Sequence, residues 1–166
     1  GSRPVDQHIK GLQAMGADIT VLSQSLSKKD DGIAFGAKDY YATADKETFK
    51  KLAGTFDLII CTVSAEIDWN AYLGLLKLNG SMVVVGAPEN AVPVHAFSLI
   101  PGRKSLSGSM IGSIKETQDM LDFCGKHNIV SEIETIAIKD VNEAYARVLK
   151  SDVRYRFVID MATLDA

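Results

Sequence analysis

The chain is poor in the residues from which metal centres, disulfide frameworks and membrane spans are built. Of 166 residues only two are Cys, three are His and one is Trp. Cys61 and Cys124 lie far from a CxxC spacing, and together with His8, His95 and His127 they form no pattern of zinc ligands. Both thiols are expected to be buried and reduced, as in a cytoplasmic protein. No apolar run approaches the roughly 20 residues that cross a bilayer, and no signal-peptide pattern is present. Lys and Arg (18) do not exceed Asp and Glu (21), and a net charge of −3 without a basic face argues against a nucleic-acid partner. No Ser-His-Asp order and no paired-carboxylate site stands out. Gly1-Ser2 reads as an engineered remnant ahead of a polar start.

What is present is an alternation of apolar β-rich runs with helical patterns. A helix is predicted over 5–15 (Ile9, Leu12, Met15), followed by strand 19–23, a helix near 28–35 closed by Gly36, and strand 38–42. A helix over 45–53 precedes the apolar strand 56–62, FDLIICT, of the kind buried on both faces of a parallel sheet. Next come a helix near 67–77, a stop at Asn79-Gly80, and strand 81–86, SMVVVG. Pro88 and Pro93 mark a loop, a helical turn fits 95–100, and 104–108 is a further strand. A capping box from Ser113 to Glu116 opens a helix expected to bury Ile114, Met120, Leu121 and Cys124. Strand 132–138 follows, then a second capping box (Asp140, Glu143) and a helix bearing Val141, Ala144, Tyr145 and Val148. Strand 154–160 ends the pattern. Such alternation implies right-handed crossovers and a mainly parallel α/β sheet with helices on both faces.

The run from Asp18 to Lys29, DITVLSQSLSKK, carries the most chemistry. It reads as a strand that ends in hydroxyls and then ammonium groups where a helix should start. In a dinucleotide-binding fold, an acidic residue at the end of the second strand selects NAD, and its replacement makes room for the 2′-phosphate of NADP. Ser23 and Ser25 are placed to donate to phosphate oxygens, with Lys28 supplying charge. The plainer reading is a polar turn with an ordinary Ser N-cap.

Six phrases in order, GADITVLSQS, GAKDYY, FDLIICTVS, LLKLNGSMVVVGAPE, GRKSLSGSMIGSIKETQDMLDFC and DVRYRFVID, resemble the cinnamyl-alcohol-dehydrogenase branch of the zinc-dependent medium-chain alcohol dehydrogenases. The resemblance runs from about residue 9 to residue 160. It implies a Rossmann-like, doubly wound domain binding NADP(H), a separate catalytic domain carrying zinc, and hydride transfer between primary alcohols and aldehydes. It places Ser23, Ser25 and Lys28 at the 2′-phosphate. Thr62 and Val63, with Ser64 beside them, fall at a strand end passing the cofactor, and Val85, Gly86 and Ala87 beside the nicotinamide ribose. Ser109, Met110 and Ile111 match the loop flanking the nicotinamide, and Arg156 an arginine that approaches the pyrophosphate. Each has a duller reading as a strand end, a core residue or an edge charge.

Relative to the family, the first strand and the GxGxxG turn are not found, and neither is the zinc-binding domain. The chain is therefore expected to comprise an altered N-terminus (1–8), a truncated NADP-binding Rossmann-like domain (9–130), and a segment (131–166) that in the family packs on the catalytic domain. It should lack catalytic and metal residues of its own, bind NADP weakly or not at all, and pair as a homodimer. The alternative is a non-catalytic folded or swapped dimeric scaffold without useful cofactor affinity. A methyltransferase-like Rossmann enzyme is a weaker third reading, lacking an acidic strand end.

Overall fold

The computed structural model describes residues 5–150 and 152–164, so Gly1-Ser2 lies outside the described residues. In chain order the elements are α1 (Asp6–Ala14), β1 (Thr20–Ser23), α2 (Lys29–Ala34), β2 (Asp39–Ala42), α3 (Lys46–Lys51), β3 (Phe56–Cys61), α4 (Trp69–Gly74) and β4 (Leu76–Val84). These are followed by β5 (Ser105–Gly108), α5 (Ile114–Lys126), β6 (Glu134–Ala137), α6 (Val141–Leu149) and β7 (Phe157–Asp160). Short 3₁₀ turns punctuate the rest.

Every strand pairing among the described residues is parallel, in three ladders: β1 with β2, β3–β4–β5, and β6 with β7. The α/β class is therefore as expected of a Rossmann-like domain. β1–β2 and β3–β4–β5 are separate sheets, since β1 and β3 do not pair with each other.

The chain divides into two compact units, each discontinuous in sequence. The larger, residues 20–30 and 39–117, holds β1 to β5. Its core is Cys61, Trp69, Leu73, Leu76 and Met82, with Phe56, Ile59, Val84 and Leu106 packed against them. Asp68 caps α4 by accepting from the Ala71 N–H at 3.0 Å, and Asp45 caps α3 by accepting from Glu47 N–H at 3.0 Å.

Three expectations are corrected. β3 is not buried on both faces: Ile59 and Cys61 turn to the core while Leu58 and Ile60 are 49% and 37% exposed, because α4 and its core cover one face only. Asn79-Gly80 is not a stop before a strand. Asn79 takes φ +62° inside β4, where the register against β3 shifts, so it marks a bulge. The Ser113–Glu116 capping box is present, with reciprocal bonds of 2.6 and 3.2 Å. Yet Ile114 is 93% exposed, and Met120 and Leu121 along the same helix are about half exposed, so amphipathic spacing here is not matched by burial.

The smaller unit, residues 5–19, 31–38 and 118–164 of those described, contains β6, β7 and α6. The second capping box does not form: Asp140 ends a 3₁₀ turn at φ −91°, ψ 6°, and its side chain caps nothing. On α6 Ala144 is buried but Tyr145 is exposed.

The unit is tied by a polar network. The buried Asp6 carboxylate accepts two bonds from Arg156, at 2.9 and 3.1 Å, and one from the Glu132 N–H at 3.0 Å. Arg156 also donates to the Glu132 carbonyl at 2.9 Å, and Lys10 pairs with the Glu132 carboxylate. Burial pushes the Asp6 carboxyl up, but the bonds from Arg156 and Glu132 and the guanidinium charge more than offset this and hold it below the usual range.

Asp6→Ala should therefore cost about 3 kcal/mol of unfolding free energy at neutral pH, because it strips partners from Arg156 and from the Glu132 N–H. The carboxylate's contribution is present above the ordinary Asp range and is lost as pH falls through the lowered native value. Urea denaturation should thus show the full gap between the two proteins near pH 7 and a shrinking one in strong acid. Equal stabilities at pH 7 would remove this network from the account.

Candidate functional site

A parallel ladder brings the carboxyl ends of its strands to one edge. In the three-stranded ladder Cys61 sits opposite Val84, and Val84 opposite Gly108. The segments that leave those ends are therefore neighbours: Thr62, Val63 and Ser64 after β3, Val85, Gly86 and Ala87 after β4, and Ser109, Met110 and Ile111 after β5. Backbone bonds hold them in place. The Val85 and Gly86 N–H groups both donate to the Cys61 carbonyl, at 2.9 and 3.0 Å, and Ser109 N–H donates to the Val84 carbonyl at 3.1 Å. Farther along, Asn90 donates to Glu66, tying the loop after β4 to the loop after β3.

Between the segments after β4 and β5 lies an open pocket of about 430 Å³ lined by Val84, Val85, Gly86, Ala87, Ser109, Met110 and Ile111. No lining residue is ionisable, so the pocket suits an uncharged ring or a sugar rather than a phosphate. Met110 and Ile111 are 88% and 93% exposed, which corrects the reading of them as core. Gly86 is buried because the backbone leaves no room: a Cβ there would lie 2.3 Å from the Val63 carbonyl oxygen. Two of the three segments are thus in direct backbone contact.

The loop that follows β4 is anchored by a residue the sequence reading missed. Asn70, on α4, donates to the Pro93 carbonyl at 3.2 Å, and its Oδ1 accepts from His95 N–H at 2.9 Å and from the Ser98 hydroxyl at 2.8 Å. Nothing in an isolated Asn signals such a role. His95 is solvent-exposed as expected, but its Nδ1 also accepts from Phe97 N–H at 3.2 Å.

The other candidate residues lie at the end of β1. Ser23 is its last residue, and the Ser23 carbonyl accepts from Thr43 N–H at 2.7 Å and Thr43 hydroxyl at 3.2 Å, which fixes the strand end against β2. Ser25 is exposed two residues on, with its Oγ 2.9 Å from the Ser27 Oγ. Lys28 is half-buried just before α2. Arg156 belongs to the other compact unit, where Asp6 engages its guanidinium.

A second concavity of about 560 Å³ lies beside Tyr41, Asp45, Glu47, Thr48, Lys50 and Lys51. It is larger but its charges are spent internally. Lys50 pairs with Glu47, the Lys51 ammonium lies 4.7 Å from the Tyr41 ring centroid, and Asp45 caps α3. The strand-end pocket is the better site on chemical grounds.

Zinc does not fit the side chains in hand. Among the described residues no three His, Cys, Asp or Glu are gathered closely enough to hold a metal. Cys61 is a core residue whose thiol burial pushes up, opposed only partly by the Val63 backbone bond, so it is poorly disposed to ionise as a ligand.

The family described as zinc-binding dehydrogenase matches residues 8–126. The NADP-dependent alcohol dehydrogenase C 1 of Mycolicibacterium smegmatis is 62% identical over 156 residues, covering 94% of this chain. A cinnamyl alcohol dehydrogenase structure from Sorghum bicolor superposes with a TM-score of 0.88 at 41% identity over 95% of the chain. A Helicobacter pylori CAD solved in complex with NADP(H) gives 0.78 at 38% identity over 93%. The chain spans about 45% of the length of the first two of these proteins and 44% of the third.

Substituting Gly86 with Ala should force the Thr62–Val63 backbone aside and cost about 1–3 kcal/mol, the usual range for overpacking. Gly108→Ala is the control, since its Cβ would meet only the Val84 carbonyl oxygen at 3.7 Å. Thermal melts that rank the two variants equally would contradict the close approach.

Proposed function

The chain belongs to the zinc-binding dehydrogenase family, and we propose that it is the NADP(H)-binding portion of an alcohol dehydrogenase. The parent reaction is hydride transfer between a primary alcohol, aromatic or allylic among others, and its aldehyde. The observation that carries this reading is the departure of three segments from one edge of the parallel ladder, two of which, after β4 and β5, line a pocket without ionisable residues. Ligands of open parallel sheets bind at carboxyl strand ends. In this reading Val85, Gly86, Ala87, Ser109, Met110 and Ile111 border the nicotinamide and its ribose, while Thr62, Val63 and Ser64 pass alongside. Ser23, Ser25 and Lys28 take the 2′-phosphate. The resemblance alone suggests Arg156 for the pyrophosphate; in this structure Asp6 holds one side of its guanidinium.

When bound, NADP(H) would accept hydride from the alcohol or donate it to the aldehyde; this chain's own residues would bind and orient it. The electrophile that polarises the alcohol is not available from them, because no zinc donor set is assembled among the described residues. In this reading the parent reaction needs the catalytic domain as well as this chain. Residues 131–166 belong, in this reading, against the catalytic domain of the parent. The two unpaired cysteines suit a reducing compartment, the cytoplasm. Among the described residues no helix is long and apolar enough to cross a membrane.

Cofactor choice follows from charge at the β1 end. Without a carboxylate at Ser23, and with the Lys28 ammonium nearby in sequence, NADPH should bind at least about tenfold more tightly than NADH, as a charge-assisted contact of about 1.5–3 kcal/mol allows. Lys28→Ala should erase most of that ratio in a calorimetric titration. Equal affinities in the unsubstituted chain, or an unchanged ratio in the variant, would overturn it.

The scaffold alternative rests on different observations. Among the described residues β5 pairs only with β4, and Met110, Ile111 and Ile114 stand almost wholly in solvent. A homodimer joined along β5 covers that edge. Light scattering should give twice 18.0 kDa for the chain. A monomer at micromolar concentration in the unsubstituted protein would exclude this pairing.

A further inference from the structure

The turn after β1 contains one hydroxyl without a role so far. Ser27 is exposed, and it meets Ser25 through both its backbone and its side chain. Its N–H points to Ser25 Oγ at 3.4 Å, and its own Oγ lies 2.9 Å from the same atom. A serine hydroxyl has one donor and two acceptor positions. One acceptor position of Ser25 is directed at the Ser27 N–H. If the Ser27 hydroxyl donates into the second, Ser25 is left with its proton alone, and can act toward a ligand only as a donor.

We propose that Ser27 is a positioning residue for cofactor choice, filling the acceptor positions of Ser25 so that its hydroxyl presents a donor to the 2′-phosphate of NADP(H). The inference rests on the NADP(H)-binding reading above and deepens it. A phosphate monoester offers only acceptor oxygens at neutral pH, apart from its partial second protonation, so it matches a hydroxyl restricted to donation. The ribose 2′-OH of NAD(H) is read best by an acceptor such as a carboxylate, and a Ser25 saturated with donors withholds that. The pair therefore discriminates by polarity and complements the charge of Lys28. Sequence reading singles out Ser23 and Ser25 and passes over Ser27. The turn makes them different: the Ser23 carbonyl is committed to Thr43, while Ser25 and Ser27 face each other.

The test is a fluorescence titration of the full chain with NADPH and with NADH, reading the ratio of the two dissociation constants. Ser27→Ala should lower that ratio by about fivefold, as loss of one hydrogen bond implies, mainly through weaker NADPH binding. Ser27→Thr, which restores a hydroxyl, should recover most of it. In a Ser25→Ala background, Ser27→Ala should change the ratio no further, because the hydroxyl it orients is gone. A merely structural role for Ser27 would weaken both cofactors alike and leave the ratio unmoved, and that result would overturn the proposal. So would a ratio that falls equally with and without Ser25. Failure of the unsubstituted chain to bind NADPH would overturn the underlying reading and this inference with it. Binding with a normal preference that Ser27→Ala leaves intact would overturn the inference alone.

Discussion

Parallel strand pairing is the constraint on which the functional geometry depends. In an antiparallel ladder, successive strand ends alternate between two edges; in a parallel one they collect at one. Here Cys61, Val84 and Gly108 stand in one row of the β3–β4–β5 ladder, so the segments beginning at Thr62, Val85 and Ser109 leave from the same edge. The core beneath keeps this row in register. Met82 and Leu73 are fully buried, and Cys61 is packed with them. The Cys61 carbonyl then accepts from both Val85 and Gly86, so the strand that anchors the core also anchors the pocket wall. Gly86 has no alternative residue type without backbone displacement.

Polarity is divided between strand ends. The pocket at the ends of β4 and β5 has no ionisable lining residue, whereas the end of β1 carries hydroxyls followed by Lys28 and Lys29. A dinucleotide has the same division between its nicotinamide end and its phosphorylated ribose. Arg156, the third kind of contact expected, is already held by Asp6 and the Glu132 carbonyl. A guanidinium has five N–H donors, and these contacts occupy three, so the residue keeps donors while losing rotational freedom.

Much of this was legible in the sequence, for reasons that differ by element. The strands were found because β-branched and apolar runs between Gly, Asn and Pro punctuation have few other readings, and the Ser113–Glu116 box because a reciprocal cap is a local pattern. What was not legible depends on tertiary context. The Asp140–Glu143 spacing mimics a box, but a preceding 3₁₀ turn puts Asp140 in the wrong backbone geometry. Ile114 looks like a core residue at the start of an amphipathic helix and stands in solvent. The apolar run of β3 was read as doubly buried, which requires cover on both faces that the described residues do not supply. Asn79-Gly80 was read as punctuation and is a bulge within β4, a distinction set by the partner strand's register. Asn70 and Ser27 carry no motif at all; only their bonded neighbours give them a role.

The central claim is that the carboxyl ends of the parallel strands form the dinucleotide site. Mapping backbone amide shifts of the isotope-labelled chain on addition of NADPH tests it most directly. The account predicts that the largest changes fall at 23–28, 62–64, 85–87 and 109–111, with residues of the Tyr41–Lys51 concavity unmoved. Changes concentrated in that concavity, or a spectrum unaltered at millimolar NADPH, would contradict it.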